Sequence, residues 1–300
     1  MRTRSSPSSL YKALRLTLCM TAAALAGACA GRPEAPIIPL LAGQAAVDTA
    51  ARLDKLLPVD VLLIGEQHDA AEHQQIEQQV LANLAQRGVL AAVALEMADA
   101  GTSTATLHPT SSDERVRLAL RWSDESWPWS AYGPAVMTAV RAGVPVLGAN
   151  LPRANMQASM ADKQLDGRLP GPALKAQQQL IRTGHCDLLP ETQITPMTRI
   201  QIAKDIRMAT TLSQAAVPGK VVVLLSGNGH ADRFLGVPQH LDSNLNVKVI
   251  RLRAGVDASG GQVNALDMVW VTPALPEKDY CAGLQEQLGG QRSTATGMKP

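Results

Sequence analysis

Six apolar, β-branched runs punctuate the chain, at residues 59–64, 89–95, 144–147, 221–225, 247–252 and 267–271, and most of them are continuously apolar rather than alternating with polar positions. Successive side chains of a strand point to opposite faces, so a run that is apolar on both faces predicts a strand covered from both sides. Longer segments with helical spacing of apolar residues lie between and around these runs, and they predict helices at residues 70–87, 131–142, 169–183 and 196–215. Strands that alternate with helices pair in parallel through crossovers. The pattern therefore predicts a single α/β domain over residues 46–285, with a mainly parallel sheet and helices on both faces.

Each of the first four runs ends in polar residues: Gly65, Glu66, Gln67 and His68; then Glu96; then Asn150 and Arg153; then Ser226, Asn228 and His230. In an open parallel sheet the carboxyl ends of the strands are the edge where side chains and loop backbone are exposed together, which is where ligands bind. Glycines at positions 65, 148, 227 and 229 let the chain turn sharply there. Glu66, His68, Glu96 and His230 are the residue types of an acid–base pair, and His68, Glu96 and His230 could equally hold a divalent metal. Taken singly, each has a plainer reading as a cap or a satisfied core group. On the helix from residue 196, Gln201, Asp205 and Met208 either border a pocket or divide between a solvated face and a core face.

Trp122, Trp127, Trp129 and Tyr132 fall within eleven residues of a chain that has four tryptophans, three tyrosines and one phenylalanine in all. Such a cluster is either a plug over the sheet or an apolar wall for a ring-shaped ligand, with Tyr132 as its polar handle.

The N-terminus changes the compartment. Arg2, Arg4, Lys12 and Arg15 precede an apolar run over residues 16–25, and the small residues Ala26, Gly27 and Ala28 then lead to Cys29. That order predicts a leader over residues 1–29 with Cys29 lipidated, too short in its apolar part to span a membrane. The Pro-rich residues 30–45 read as a tether and the polar residues 286–300 as a disordered tail. Without the four leader cations, 24 of the 28 Lys and Arg remain against 26 Asp and Glu, a balance that offers nothing to nucleic acid. In an oxidising compartment Cys186 and Cys281 are expected to form a disulfide.

The segments "LLIGEQHD", "ALEM", "WPWSAYGPAV", "GVPVLGANLPR", "GHCDLLPE" with "PMTRIQIAKDIRMA", and "LLSGNGHADRFLGVP" together resemble the ChaN family of haem-binding lipoproteins, within the wider Tiki and erythromycin-esterase superfamily. The resemblance covers most of the mature chain. It implies haem binding in iron uptake at an outer membrane, on the periplasmic side. It also implies a cofacial haem pair between the subunits of a homodimer, and an outer-membrane haem receptor as a partner. It carries Gly65, Glu66, His68, Glu96 and His230 over to the superfamily's polar site. Tyr132 is the one tyrosine in the matched region and so the first candidate for the iron ligand. His185, Met197 and Met208 are the other ligand candidates, and Trp129, Asn150 and Arg153 further haem contacts. Other branches of the superfamily resemble hydrolases, which keeps a metal-dependent hydrolase as the alternative; no GxSxG nucleophile elbow is present.

Overall fold

The computed structural model describes residues 49–255 and 267–284. The leader with Cys29, the tether and the tail fall outside the described residues. None of the described helices is long and apolar enough to cross a membrane.

After a helical segment at residues 49–54, six strands follow: β1 (Val61–Glu66), β2 (Leu90–Asp99), β3 (Val146–Asn150), β4 (Val221–Gly227), β5 (Val247–Ala254) and β6 (Asp267–Thr272). They form one sheet in the order β3-β2-β4-β1-β5-β6, and every pairing is parallel. The helices are α1 (Ala71–Gln86), α2 (Asp113–Leu120), α3 (Trp129–Arg141), α4 (Arg153–Ala161), α5 (Gly171–Gly184) and α6 (Glu191–Ala215). The predicted α/β class and parallel sheet are what the structure has. Two short helices, α2 and α4, were not foreseen. Their buried stripes are thin: α2 buries Val116 and Leu120, and α4 buries no residue fully. The helix expected from residue 196 begins at Glu191 and carries Pro196 within its second turn, where the ring removes only one hydrogen bond.

Continuous apolarity does here what it predicts. Leu62 and Ile64 of β1 pack into a core with Val80, Leu81 and Leu84 of α1 and Val136 and Val140 of α3. Val61 and Leu63, pointing the other way, pack with Met208, Ala209 and Leu212 of α6. Burying each large aliphatic side chain contributes roughly 1.5–3 kcal/mol, so the sheet is held from both sides. A third, smaller core joins α6 to the segment after β3 through Leu151, Leu165, Leu169 and Ile202.

The edge strand β3 is covered by the loop that follows β2. Thr104 N donates to the Val146 carbonyl at 2.9 Å, and Gly148 N donates to the Thr102 carbonyl at 3.0 Å. The approach is close enough to require glycine: a Cβ at Gly148 would stand 2.1 Å from the Asp99 carbonyl oxygen and 2.3 Å from Thr102 Oγ1. Both obstacles belong to a loop pinned by backbone hydrogen bonds. Gly148→Ala is therefore expected to lower stability by about 3 kcal/mol, read as a shift in denaturant midpoint at unchanged slope; a shift below a few tenths of a kcal/mol would show that the loop gives way.

Candidate functional site

The central strands β1, β2 and β4 deliver a linked set of acids and histidines to their carboxyl ends. Glu66 closes β1 and lies opposite Gly227, which closes β4. Its carboxylate is buried, and three side chains converge on it. Tyr132 of α3 donates its hydroxyl to Oε1 at 2.8 Å, His68 Nδ1 lies 2.8 Å from the same oxygen, and Gln74 of α1 donates to Oε2 at 2.5 Å.

Glu96 lies inside β2, which runs on to Asp99 rather than stopping at the expected residue 95. The pairing with β3 shifts register between Leu95 and Asp99, and such an irregularity re-aims a side chain. Glu96 Oε2 accepts the Gly227 amide at 2.8 Å and faces His68 Nε2 at 3.8 Å. Its other oxygen lies 3.2 Å from His230 Nε2. His230 Nδ1 in turn lies 2.5 Å from Oδ1 of Asp205, on α6, with the Gln201 amide nitrogen 3.1 Å from the same ring nitrogen. The result is a chain Tyr132–Glu66–His68–Glu96–His230–Asp205 in which carboxylate and imidazole alternate. Gly227 leaves room for it, because a Cβ there would meet His68 Nε2 at 2.8 Å.

The electrostatics follow from this order. Burial works to lower the His230 pKa, but Glu96 and Asp205 on either side outweigh it and hold the imidazolium up to about 10. Burial likewise opposes the charge on Glu96, yet His230, His68 and the Gly227 amide keep its carboxyl well below the usual carboxylate range. Asp205 is the weaker acid: burial pushes it up to about 6 against the pull of His230, and its Oδ2 is buried without a partner. The two carboxylates share one cation, and Glu96, with the extra amide, is the stronger acid of the two. His68 is also raised, because its hydrogen bond to Glu66 and the charges of Glu96 and Glu66 exceed the burial effect. Behind Glu66, Glu77 is fully buried with both oxygens unpartnered, and burial next to Glu66 raises its pKa well above the usual range.

Residues 52–241 match the family described as haem-binding uptake, Tiki superfamily, ChaN. This chain belongs to the ChaN family. The whole domain resembles ChaN of Campylobacter jejuni, a structure of cofacial haem binding, at 26% identity and a TM-score of 0.59, covering 75% of this chain and 90% of that one. It also matches the type III effector HopBA1 at 18% identity and a TM-score of 0.38, over 72% of this chain and 88% of that one, a likeness too loose to carry an argument. No curated protein matches the chain significantly in sequence.

The expected residues of this ChaN-family chain fall into two groups. Glu66, His68, Glu96, His230 and Tyr132 come together as described. The expected metal triad His68, Glu96 and His230 finds no support in the geometry: both ring nitrogens of His230 face carboxylates, and no group of three His, Cys, Asp or Glu side chains among the described residues is placed to hold a metal ion. Met208 is also corrected as an iron ligand, since it is fully buried in the core under α6. Tyr132 is 2% exposed, with its hydroxyl given to Glu66 and its pKa raised by burial and by that carboxylate, so it stands as a buried phenol rather than an open ligand.

The remaining candidates lie apart from the acid–histidine chain. Trp129 donates its Nε1 to Asp113 at 2.9 Å. Asn150 accepts the Leu151 amide, Arg153 is exposed, and Met197 is half-buried. His185 caps α5, its Nδ1 2.7 Å from the Ile181 carbonyl. Of the tryptophans, it is Trp127 that reaches the site, edge-on to His68 with 4.9 Å between ring centroids. Gln74 and Glu77 were missed. Their signal is polar residues at buried helical positions, since residues 73, 74 and 77 continue the inward stripe of 80, 81 and 84.

A pH dependence follows. The folded pKa of His230, about 10, lies above its ordinary value of 6.5, so its stabilisation is complete below pH 6.5 and lost as pH rises towards 10. Glu96, depressed instead, contributes above the usual carboxylate range and loses that contribution only in strong acid. Replacing Glu96 by Gln is expected to cost about 3–5 kcal/mol at pH 7 and to remove much of the decline in stability between pH 7 and 10. Urea melts across that range read both effects; an unaltered alkaline slope would mean that Glu96 does not hold the His230 proton.

Proposed function

We propose that this chain binds haem, as a lipoprotein acylated at Cys29 and facing the periplasm from an outer membrane, where it takes part in iron uptake. Membership of the ChaN family is the observation that carries the reading, and the likeness to ChaN of Campylobacter jejuni, with its cofacial haem, supports it. The same likeness supports a haem pair held between two subunits of a homodimer, since a two-fold interface presents one patch twice. An outer-membrane haem receptor is the partner that would hand such a cargo over.

An iron ligand needs an outward lone pair. His185 fits: its Nδ1 is held by the Ile181 carbonyl, which fixes the tautomer and leaves Nε2 free to ligate. Met197 is the other half-buried donor. Hemin added to residues 31–300 is expected to give saturable binding with a shifted Soret band. Tyr132→Phe should keep the affinity within a few-fold and His185→Ala should weaken it by about tenfold or more. Absence of saturable binding would remove the haem reading, and loss of binding in Tyr132→Phe alone would return the ligand to Tyr132.

One observation favours a second reading, a hydrolase in which His68 activates water. The His68 side chain is 39% exposed while its Nδ1 is anchored on a buried carboxylate, the arrangement of a general base. The base is positioned by the Glu66 carboxylate, so this reading needs no metal ion. It expects ester or amide turnover that survives chelators and falls by about a hundredfold or more in His68→Ala; turnover abolished by chelation would contradict it.

A further inference from the structure

His73, the third residue of α1, is a completely buried histidine outside the acid–histidine chain. Its two ring nitrogens have different partners. The Gln67 amide donates to Nδ1 at 3.0 Å, so Nδ1 carries a lone pair and the ring proton sits on Nε2. Nε2 then donates to the Thr272 hydroxyl at the end of β6, at 3.1 Å, and that hydroxyl lies 3.4 Å from the Arg253 carbonyl oxygen on β5. Burial pushes the His73 pKa down to about 4 against the pull of Asp69, so at neutral pH the ring keeps this one uncharged tautomer.

Gln67 stands between Glu66 and His68 in the chain, and its side chain is fixed as well, with Oε1 accepting the Ala254 amide at 2.8 Å. The next residue of α1, Gln74, takes the residues on either side. Its Nε2 donates to Glu66 Oε2 at 2.5 Å and lies 3.4 Å from the His68 carbonyl oxygen. Two consecutive side chains of one helical turn thus hold the amide, the carboxylate and the carbonyl that aim His68. The His68 ring then lies between Glu66 Oε1, at 2.8 Å, and the edge of Trp127. A displacement of about 1 Å is enough to break that bond to Glu66.

We propose that His73 is the positioning residue for His68: its Nδ1 lone pair anchors the Gln67 amide and so keeps the His68 imidazole on Glu66 in the geometry of a base. The consequence for turnover rests on the reading of His68 as a water-activating base. The anchoring itself does not, and it is independent of haem.

Two amides of similar polarity separate anchoring from packing. Asparagine at position 73 places an oxygen acceptor where the imidazole has Nδ1, whereas glutamine reaches towards the Nε2 position instead. In the native protein, uniformly labelled with nitrogen-15, a scalar coupling across the hydrogen bond between the Gln67 nitrogen and His73 Nδ1 is expected, together with a nuclear Overhauser effect between the His68 and Trp127 rings. His73→Asn keeps that Overhauser effect and holds turnover of 4-nitrophenyl acetate within about threefold, while His73→Gln loses it and lowers kcat by about tenfold or more at a little-changed KM. Circular dichroism verifies that both variants fold. Equal behaviour of the two variants, whether both native-like or both impaired, would overturn the proposal. So would absence of the coupling in the native protein, a result that needs no variant to fold. A native protein without ester turnover would overturn the hydrolase reading alone, and the coupling and the Overhauser effect would then decide the role of His73.

Discussion

Burying His230 as an imidazolium obliges the fold to bury anions beside it, and that obligation organises the carboxyl edge of the sheet. A lone cation in a low-dielectric interior would give up its proton, whereas one placed between Glu96 and Asp205 keeps it. Meeting this condition takes three elements at once. β2 must break register to aim Glu96, α6 must bring Asp205 over the end of β4, and Gly227 must leave space and an amide donor where the two histidine–carboxylate pairs meet. Glu66 repeats the device one strand away, with Tyr132 and Gln74 taking up its remaining hydrogen-bonding capacity. Paired buried charges are weak evidence for stability, because desolvation offsets most of their attraction. Their concentration at the one edge where a parallel sheet exposes its loops is what marks the place as functional.

The layers of the fold were legible because both faces of the sheet are apolar: Leu62 and Leu63 point in opposite directions and both are fully buried. The site was legible in part, because polar residues that follow apolar runs must collect at one edge of a parallel sheet. Sequence could not supply the direction of each side chain. The run ending at Leu95 placed Glu96 outside β2, whereas the strand continues and a register shift turns that residue inward. Tyr132 looked like a handle for a ligand in an aromatic cluster, yet its hydroxyl is internal because a buried carboxylate lies within reach. Gln74 and Glu77 were hidden for the opposite reason, being polar residues on a helix stripe that is otherwise apolar. Met208 shows the limit of helical spacing, since the same period serves a pocket face and a core face.

Membership of the ChaN family and the acid–histidine chain make different demands on the molecule. On the proposed haem reading a macrocycle needs an open donor and a broad surface, and His185 at the α5–α6 turn is the candidate donor. The acid–histidine chain is compact and deep, with His68 as its one well-exposed member. The two regions are joined through consecutive residues, since Cys281 is bonded to Cys186, next to His185, and Tyr280 donates its hydroxyl to Asp69, next to His68.

The central claim is that His230 is a buried cation fixed by two carboxylates. Imidazole nitrogen NMR on the uniformly labelled chain, followed from pH 5 to 10.5, addresses it directly. The account predicts that His230 remains doubly protonated well above pH 8 and that His68 titrates above 6.5. A His230 that loses its proton near pH 6.5, with one ring nitrogen unprotonated at neutral pH, would contradict the account and leave Glu96 and Asp205 without the charge that explains their burial.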